Sequence, residues 1–314
     1  MAQTETMTGG EAMVRAAAAN GIDTIFGLPG AQIYPMFDAM YRMPAIKSVI
    51  SRHEQGAAYM AFGAAAATGR PSAYAVVPGP GVLNTSAALC TAAGTNKPVL
   101  CLTGQIMSEF LGVGRGHLHE LADQRGTLGK IIKHADHISD PENTSTQVND
   151  AFRAMLSGRP GPASVEMCWD TMAKSYDVEI LPGNTVVDKP EVDEDAVGDA
   201  ASLVANARNI MIMTGGGAQH ASDEVRELAE TLGAVVTAFR SGRGVVSEDH
   251  ACGSSSAAAR LLWDDTDLLI GIGSRLEMQF MRWGSMAQYC DRAPGGRPKV
   301  IRIDIDPAEM ERFK

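Results

Sequence analysis

Residues 46–81 read IKSVISRHEQGAAYMAFGAAAATGRPSAYAVVPGPG. An apolar run, Ile46–Ser51, has the length of a strand and turns through Arg52-His53-Glu54 into an Ala-rich helix, Gln55–Thr68, which Gly69 stops. A second apolar run, Ser72–Val77, follows at once and opens onto Pro78-Gly79-Pro80-Gly81. Strand, helix and strand in this order make a βαβ unit, whose strands pair in parallel across the connecting helix.

The same rhythm extends outward. Thr8, with Glu11 three residues on, predicts a capped helix that ends at Asn20-Gly21. Strand Asp23–Phe26 runs into Gly27-Leu28-Pro29-Gly30 and a helix over Gln32–Tyr41. Beyond Gly81 come helix Val82–Gly94, strand Val99–Thr103, a loose Gly- and His-bearing stretch over 106–129, helix Thr146–Leu156 and strand Pro162–Met167. Residues 176–194 are rich in Pro, Asp and Glu and read as a linker between a first domain, 1–175, and a second, 195–314. The second domain repeats the pattern with strand Asn209–Met213, the turn Thr214-Gly215-Gly216-Gly217, helix Ser222–Leu232, and strands Val235–Thr237, Leu268–Ile272 and Val300–Ile305. The expected fold class is α/β, with two Rossmann-like parallel-sheet domains. Val300–Ile305 reads as a buried strand with little chain after it, so the second domain reads as incomplete at its C-terminal side.

Composition narrows the function. The chain of 314 residues carries 27 Lys and Arg against 37 Asp and Glu, a net charge of −10, which excludes a broad basic surface for nucleic acid. Hydrophobic residues at 45% and charged residues at 20% are ordinary for a globular chain and argue against disorder. Cys90, Cys101, Cys168, Cys252 and Cys290 form no Cys-x-x-Cys pair, so they read as reduced thiols, not a zinc site or disulfide frame. No apolar run reaches the ~18 residues of a membrane span, and no basic-then-apolar leader opens the chain, so a cytoplasmic protein is expected.

Glu54 sits where a strand gives way to a helix, and open α/β sheets bind ligands at the carboxyl ends of their strands. A carboxyl group held there among Gly56, Ala57 and Ala58 is placed for proton exchange with a ligand. The plain alternative is a solvated glutamate at a helix N-terminus, favoured by the macrodipole. The turns Gly27–Gly30 and Pro78–Gly81 let backbone approach a flat ligand, with the Asn84 amide close behind, or they are simply tight turns. Gly215–Gly217 offers amides to an anion or close packing, and lacks the dinucleotide spacing. His117 and His119 could donate protons to a substrate or lie on a surface loop; with no further ligand they make no metal site.

Taken in order, Gly27-Leu28-Pro29-Gly30, Arg52-His53-Glu54-Gln55-Gly56-Ala57-Ala58, Ala67-Thr68-Gly69, Gly79-Pro80-Gly81 with Asn84, and Thr103-Gly104-Gln105 resemble the thiamine-diphosphate enzymes related to acetolactate synthase and the 2-oxo-acid decarboxylases. Gly215–Gly217, Ser241-Gly242-Arg243-Gly244, Gly271-Ile272-Gly273-Ser274-Arg275 and Ile303-Asp304-Ile305-Asp306-Pro307 extend the resemblance to that family's central domain. It implies a pyrimidine-binding domain and a central domain, with the family's pyrophosphate domain absent: its Gly-Asp-Gly metal motif with a distal Asn-Asn is not found, and Gly198-Asp199 lacks the following glycine. Mg²⁺ is then expected only through that absent domain, and no metal ligand is assigned here.

The resemblance implies that Glu54 hydrogen-bonds N1′ of the aminopyrimidine and promotes its imino tautomer. Pro29, Gly30, Val77, Pro80, Gly81 and Asn84 would line the pyrimidine pocket, with Val77 where synthases often carry Thr. His119 stands where acetolactate synthases have glutamine, and Gly114–His119 is similar to the histidine-bearing loop of pyruvate-decarboxylase-type enzymes, which implies proton handling by His119. FAD near Gly215–Gly217 and Arg275 is allowed by the same resemblance. The expected function is the first two-thirds of an enzyme acting on a 2-oxo acid, with the Gln55–Thr68 helix at a subunit contact of a homodimer or homotetramer. The isolated chain is expected to be inactive. The rivals are a naturally split subunit and a non-catalytic nucleotide-binding or regulatory protein on the same scaffold.

Overall fold

The computed structural model describes residues 4–183, 187, 190–277, 283 and 298–311. Cys290 lies outside them. The chain divides into two units, Met1–Asp188 and Lys189–Lys314.

In the first unit the order is β1 (Thr4–Thr8), α1 (Gly9–Ala19), β2 (Thr24–Gly27), α2 (Tyr34–Arg42), β3 (Lys47–Ile50), α3 (Glu54–Thr68), β4 (Ser72–Val76), α4 (Pro80–Asn84), α5 (Ser86–Gly94), β5 (Val99–Gln105), α6 (Gln124–Gly129), β6 (His134–Ile138), α7 (Thr144–Leu156), β7 (Ala163–Cys168), α8 (Trp169–Ala173) and β8 (Ser175–Glu179). Six strands form one parallel sheet in the order β3-β2-β4-β5-β7-β6. Alternation along the strands feeds two cores. Ala73, Ala75, Leu100 and Leu102 face one way, with Met13, Val14 and Phe152 from α1 and α7. Tyr74, Val76, Val99 and Cys101 face the other, with Ala57, Ala58, Ala61 and Ala65 of α3. Alanines on that stripe let α3 lie close on the sheet, and burying both faces is what an all-parallel sheet requires.

The second unit holds α9 (Glu194–Ala205), β9 (Ile210–Thr214), α10 (Ser222–Leu232), β10 (Val235–Ala238), β11 (Gly253–Ser254), α11 (Ser256–Leu261), β12 (Leu268–Ile272), β13 (Lys299–Ile303) and α12 (Pro307–Glu311). Its sheet is also parallel, ordered β11-β10-β9-β12-β13. The two Rossmann-like α/β units expected from the sequence are therefore present.

Some local expectations change. The capped α1 is as read, with Thr8 Oγ1 accepting from Glu11 N at 3.1 Å. The helix expected over Val82–Gly94 is two, α4 and α5, parted at Thr85. The Thr85 hydroxyl donates to the Val82 carbonyl at 2.7 Å and accepts from the Tyr74 hydroxyl at 2.9 Å, tying the break to the sheet. The start of the stretch read as a linker forms β8, which pairs antiparallel with β1. Val300 and Ile303, read as buried, are exposed, since among the described residues β13 is an edge strand paired only with β12. The described cysteines, Cys90, Cys101, Cys168 and Cys252, are free thiols. Burial pushes the Cys101 thiol up to about 11 and that of Cys168 up to about 12, so both are packing groups, not nucleophiles. No helix among the described residues is long and apolar enough to cross a membrane.

Candidate functional site

In the first sheet the chain passes from β2 outward to β3, then returns to the other side of β2 as β4. The order reverses between β2 and β4, and such a switch point opens a crevice at the strands' carboxyl ends. The turn Gly27–Gly30 leaves β2, Glu54 follows β3, and Val77–Gly81 leaves β4. Every segment quoted above for the pyrimidine pocket ends at this crevice.

Val77 lies at its centre. A Cβ added at Gly30 would collide with Val77 Cγ1, and one added at Gly81 would lie 2.6 Å from Val77 Cγ2 and 3.7 Å from Glu54 Cγ. The Val77 isopropyl thus stands between two glycines, and the Glu54 chain passes over Gly81. Asn84 Nδ2 donates to Glu54 Oε2 at 3.0 Å, while Glu54 Oε1 has no hydrogen-bond partner among the described residues. Glu54 is half-buried at the first position of α3, whose N-cap His53 accepts from Gln55 N through Nδ1 at 3.2 Å. The glutamate is therefore both the helix-terminus residue of the plain reading and a carboxyl group whose chain borders Gly81, the glycine that Val77 packs against. Pro29 and Pro80 are exposed at the two turns.

The His119 backbone meets the same turn at Gly79. Gly79 has φ +58°, and a Cβ there would strike the His119 carbonyl. Only a glycine lets these backbones meet. His119 itself has φ +66°, a costly conformation for a residue with a side chain. Its loop is organised by Glu120, whose carboxylate accepts from Gly114 N at 3.1 Å and His117 N at 2.7 Å. Those amides, His117's foremost, hold the Glu120 carboxyl below the usual range. His117 stacks on Phe110 with ring centroids 4.0 Å apart. Among the described residues no cluster of three or more His, Cys, Asp or Glu is placed to hold a metal.

Two buried glutamines complete the site, and hydropathy gave no sign of either role. Gln32 Oε1 lies 3.0 Å from His119 Nδ1, and its Nε2 donates to the Leu118 carbonyl at 3.1 Å. Gln124 accepts from Gly79 N at 2.7 Å and donates to the Gly104 carbonyl at 3.1 Å and Glu166 Oε2 at 2.7 Å. Glu166, 4% exposed, also meets His137 Nδ1 at 3.0 Å and Gln105 Nε2 at 3.4 Å. A buried carboxylate is tolerated only when paired in this way. An acidic residue inside the apolar run Pro162–Met167 was the one hint in the sequence, and it names no partner and no role.

In the second unit the glycine turn after β9 is engaged within the chain. Gly215 N donates to the Ile272 carbonyl at 3.0 Å and Gly217 N to the Gly273 carbonyl at 3.2 Å, and a Cβ on either glycine would meet Gly273. Close packing accounts for these glycines. Arg275 lies 3.8 Å from Glu277 and 3.7 Å from Glu309. A separate cavity of about 440 Å³ lies past β10, lined in part by Thr237, Arg243, Ser247 and Glu248.

Comparison with known proteins matches residues 7–127 to the thiamine pyrophosphate enzyme N-terminal TPP binding domain and residues 197–314 to the thiamine pyrophosphate enzyme central domain. The chain is 30% identical over 316 residues to the acetolactate synthase isozyme 1 large subunit of Escherichia coli (strain K12), covering 98% of this chain and 54% of the relative. It is 33% identical over 318 residues to a probable acetolactate synthase large subunit of Methanocaldococcus jannaschii, covering 97% and 52%. It is 31% identical over 320 residues to a probable 2-ketoarginine decarboxylase of Pseudomonas aeruginosa, covering 98% and 55%. The chain thus spans about half the length of the curated relatives it matches.

Proposed function

Because the chain belongs to the thiamine pyrophosphate enzyme family, we propose that it binds the aminopyrimidine side of thiamine diphosphate in a cytoplasmic enzyme that decarboxylates a 2-oxo acid, with acetolactate-synthase-like carboligation as the outcome. The observation that carries this is the convergence of Glu54, Asn84, Gly30, Gly81 and Val77 at the switch point of the first sheet. The residues fit the group: a flat heterocycle with ring nitrogens calls for an apolar platform beside a carboxyl group, and Val77 and Glu54 supply that pair.

Thiamine diphosphate, when bound, would supply an electron sink for the reaction. The chain's residues orient it and handle protons. Glu54 would hold a proton toward N1′ of the aminopyrimidine. Asn84 holds Glu54 Oε2 and so leaves Oε1 for the ring. Pro29, Gly30, Pro80 and Gly81 line the pocket around Val77. His119, carried to the same turn by Gly79, moves protons on the substrate side.

The diphosphate and Mg²⁺ side is assigned to the further length that the relatives possess, and the isolated chain is expected to be inactive. The outward face of α3, with Gln55, Tyr59, Gly63 and Ala66 exposed, suits close contact with a second copy in a homodimer or homotetramer. FAD, allowed by the resemblance, meets glycine amides already engaged in the second unit, and no step of the reaction runs through it.

The test is turnover by the complete enzyme carrying this chain, supplied with Mg²⁺ and a panel of 2-oxo acids. CO₂ release from at least one acid, lost when thiamine diphosphate is withheld, is expected. The absence of cofactor-dependent release from every acid overturns the reading.

A further inference from the structure

Gln32 and His119 are far apart in sequence and meet at the crevice. Gln32 is 6% exposed, and a Cβ at Gly104 would strike its backbone carbonyl, so the residue is seated on the end of β5. Its side chain bridges two neighbours on the loop: Nε2 to the Leu118 carbonyl at 3.1 Å, and Oε1 to His119 Nδ1 at 3.0 Å.

The chemistry of these atoms removes an ambiguity. A carbonyl oxygen only accepts, so the amide NH₂ must face Leu118. The amide oxygen then faces His119 Nδ1, and an amide oxygen also only accepts. The shared hydrogen must therefore sit on Nδ1. In a neutral imidazole the other ring nitrogen, Nε2, is left with a free lone pair.

We propose that Gln32 is a positioning residue that fixes His119 as the Nδ1–H tautomer and so presents Nε2 as a proton acceptor. The catalytic use of that acceptor, toward a substrate with an ionisable hydroxyl or carboxyl group, rests on the function proposed above; the tautomer itself does not. The strained backbone of His119, φ +66°, agrees with this role: the loop holds the residue in a costly conformation that places its ring against Gln32. Gly79 and the Leu118 carbonyl fix the backbone on either side of that ring.

The structure also supplies an internal reference. His53 Nδ1 accepts from Gln55 N at 3.2 Å, and His250 Nδ1 accepts from Cys252 N at 3.2 Å. When neutral, both must carry their hydrogen on Nε2, opposite to His119.

The experiment is ¹⁵N NMR of the full chain with its seven histidines labelled, at a pH where the imidazoles are neutral. The His119 signals are assigned by their loss in His119→Gln. A protonated, pyrrole-type Nδ1 and a pyridine-type Nε2 are expected for His119, with the reverse pattern for His53. In Gln32→Met the His119 signals are expected to shift toward the Nε2–H pattern that free imidazole favours. An Nε2–H pattern for His119 in the unaltered chain overturns the proposal, as does a His119 pattern unmoved by Gln32→Met. Should that variant not fold, the unaltered chain's spectrum decides alone. No turnover enters the measurement, so an inactive enzyme would count against the proposed function and leave this result standing.

Discussion

Val77 touches both glycines of the crevice, which makes its size the quantity to vary. In Gly81→Ala the new methyl meets Val77 Cγ2 at 2.6 Å and must displace it. Overpacking of this kind costs about 1–3 kcal/mol. Val77→Ala removes the opposing methyl, so the double variant should recover much of that loss, with a coupling of about 1 kcal/mol or more in urea unfolding. Strict additivity of the two changes would mean that they do not share the space described. Glu54 differs in kind. It is half-buried and held by one amide, so Glu54→Gln should change stability by no more than ~0.5 kcal/mol while altering the site's chemistry.

At the scale of elements, the His119 loop depends on one ionised carboxylate. Glu120 accepts from the Gly114 and His117 amides, and its folded-state acidity is raised above that of an ordinary glutamate. A carboxyl group with a depressed folded-state pKa contributes order fully above its unfolded value and loses it as pH falls through the folded value. The Gly114 and His117 amide signals should therefore stay constant from neutrality down past the ordinary glutamate range, then move together below it. In Glu120→Gln the acid transition at these amides should vanish. A midpoint at or above the ordinary glutamate value would break the link between this carboxylate and the loop.

The elements also show what was legible beforehand. β4 and β5 announce themselves by unbroken apolar runs because both faces are buried. β1 does not: of Thr4–Thr8 only Met7 is buried, and its pairing with β8 spans almost the whole unit. β6 reads His-Ala-Asp-His-Ile at the sheet edge, too polar for hydropathy to mark. The break at Thr85 arises from a hydroxyl bond that leaves no periodic trace. That Glu54, the glycine turns and Asn84 lie together could be read beforehand, because motif and strand-end position agreed. Gln32, Gln124 and Glu166 could not, since a buried polar side chain is recognisable only through the partners that satisfy it.

At the scale of the whole molecule, two parallel-sheet units lie on one chain that spans about half the length of its relatives. The first unit gathers a carboxyl group, an apolar platform and a histidine at a single crevice. The proposed division of labour makes this unit responsible for activating the cofactor, whatever supplies the grip on its phosphates. The resemblance implies that the imino tautomer promoted by Glu54 would take up the proton at C2 of the thiazolium ring. The most direct test is therefore hydrogen–deuterium exchange at C2 of thiamine diphosphate in the complete enzyme, comparing the unaltered chain with Glu54→Gln at equal cofactor occupancy. If Glu54 moves the proton at N1′, exchange should slow by about 10²–10⁴-fold, the usual contribution of a positioned acid or base. Exchange at the unaltered rate, with the variant folded and the cofactor bound, would contradict the assignment.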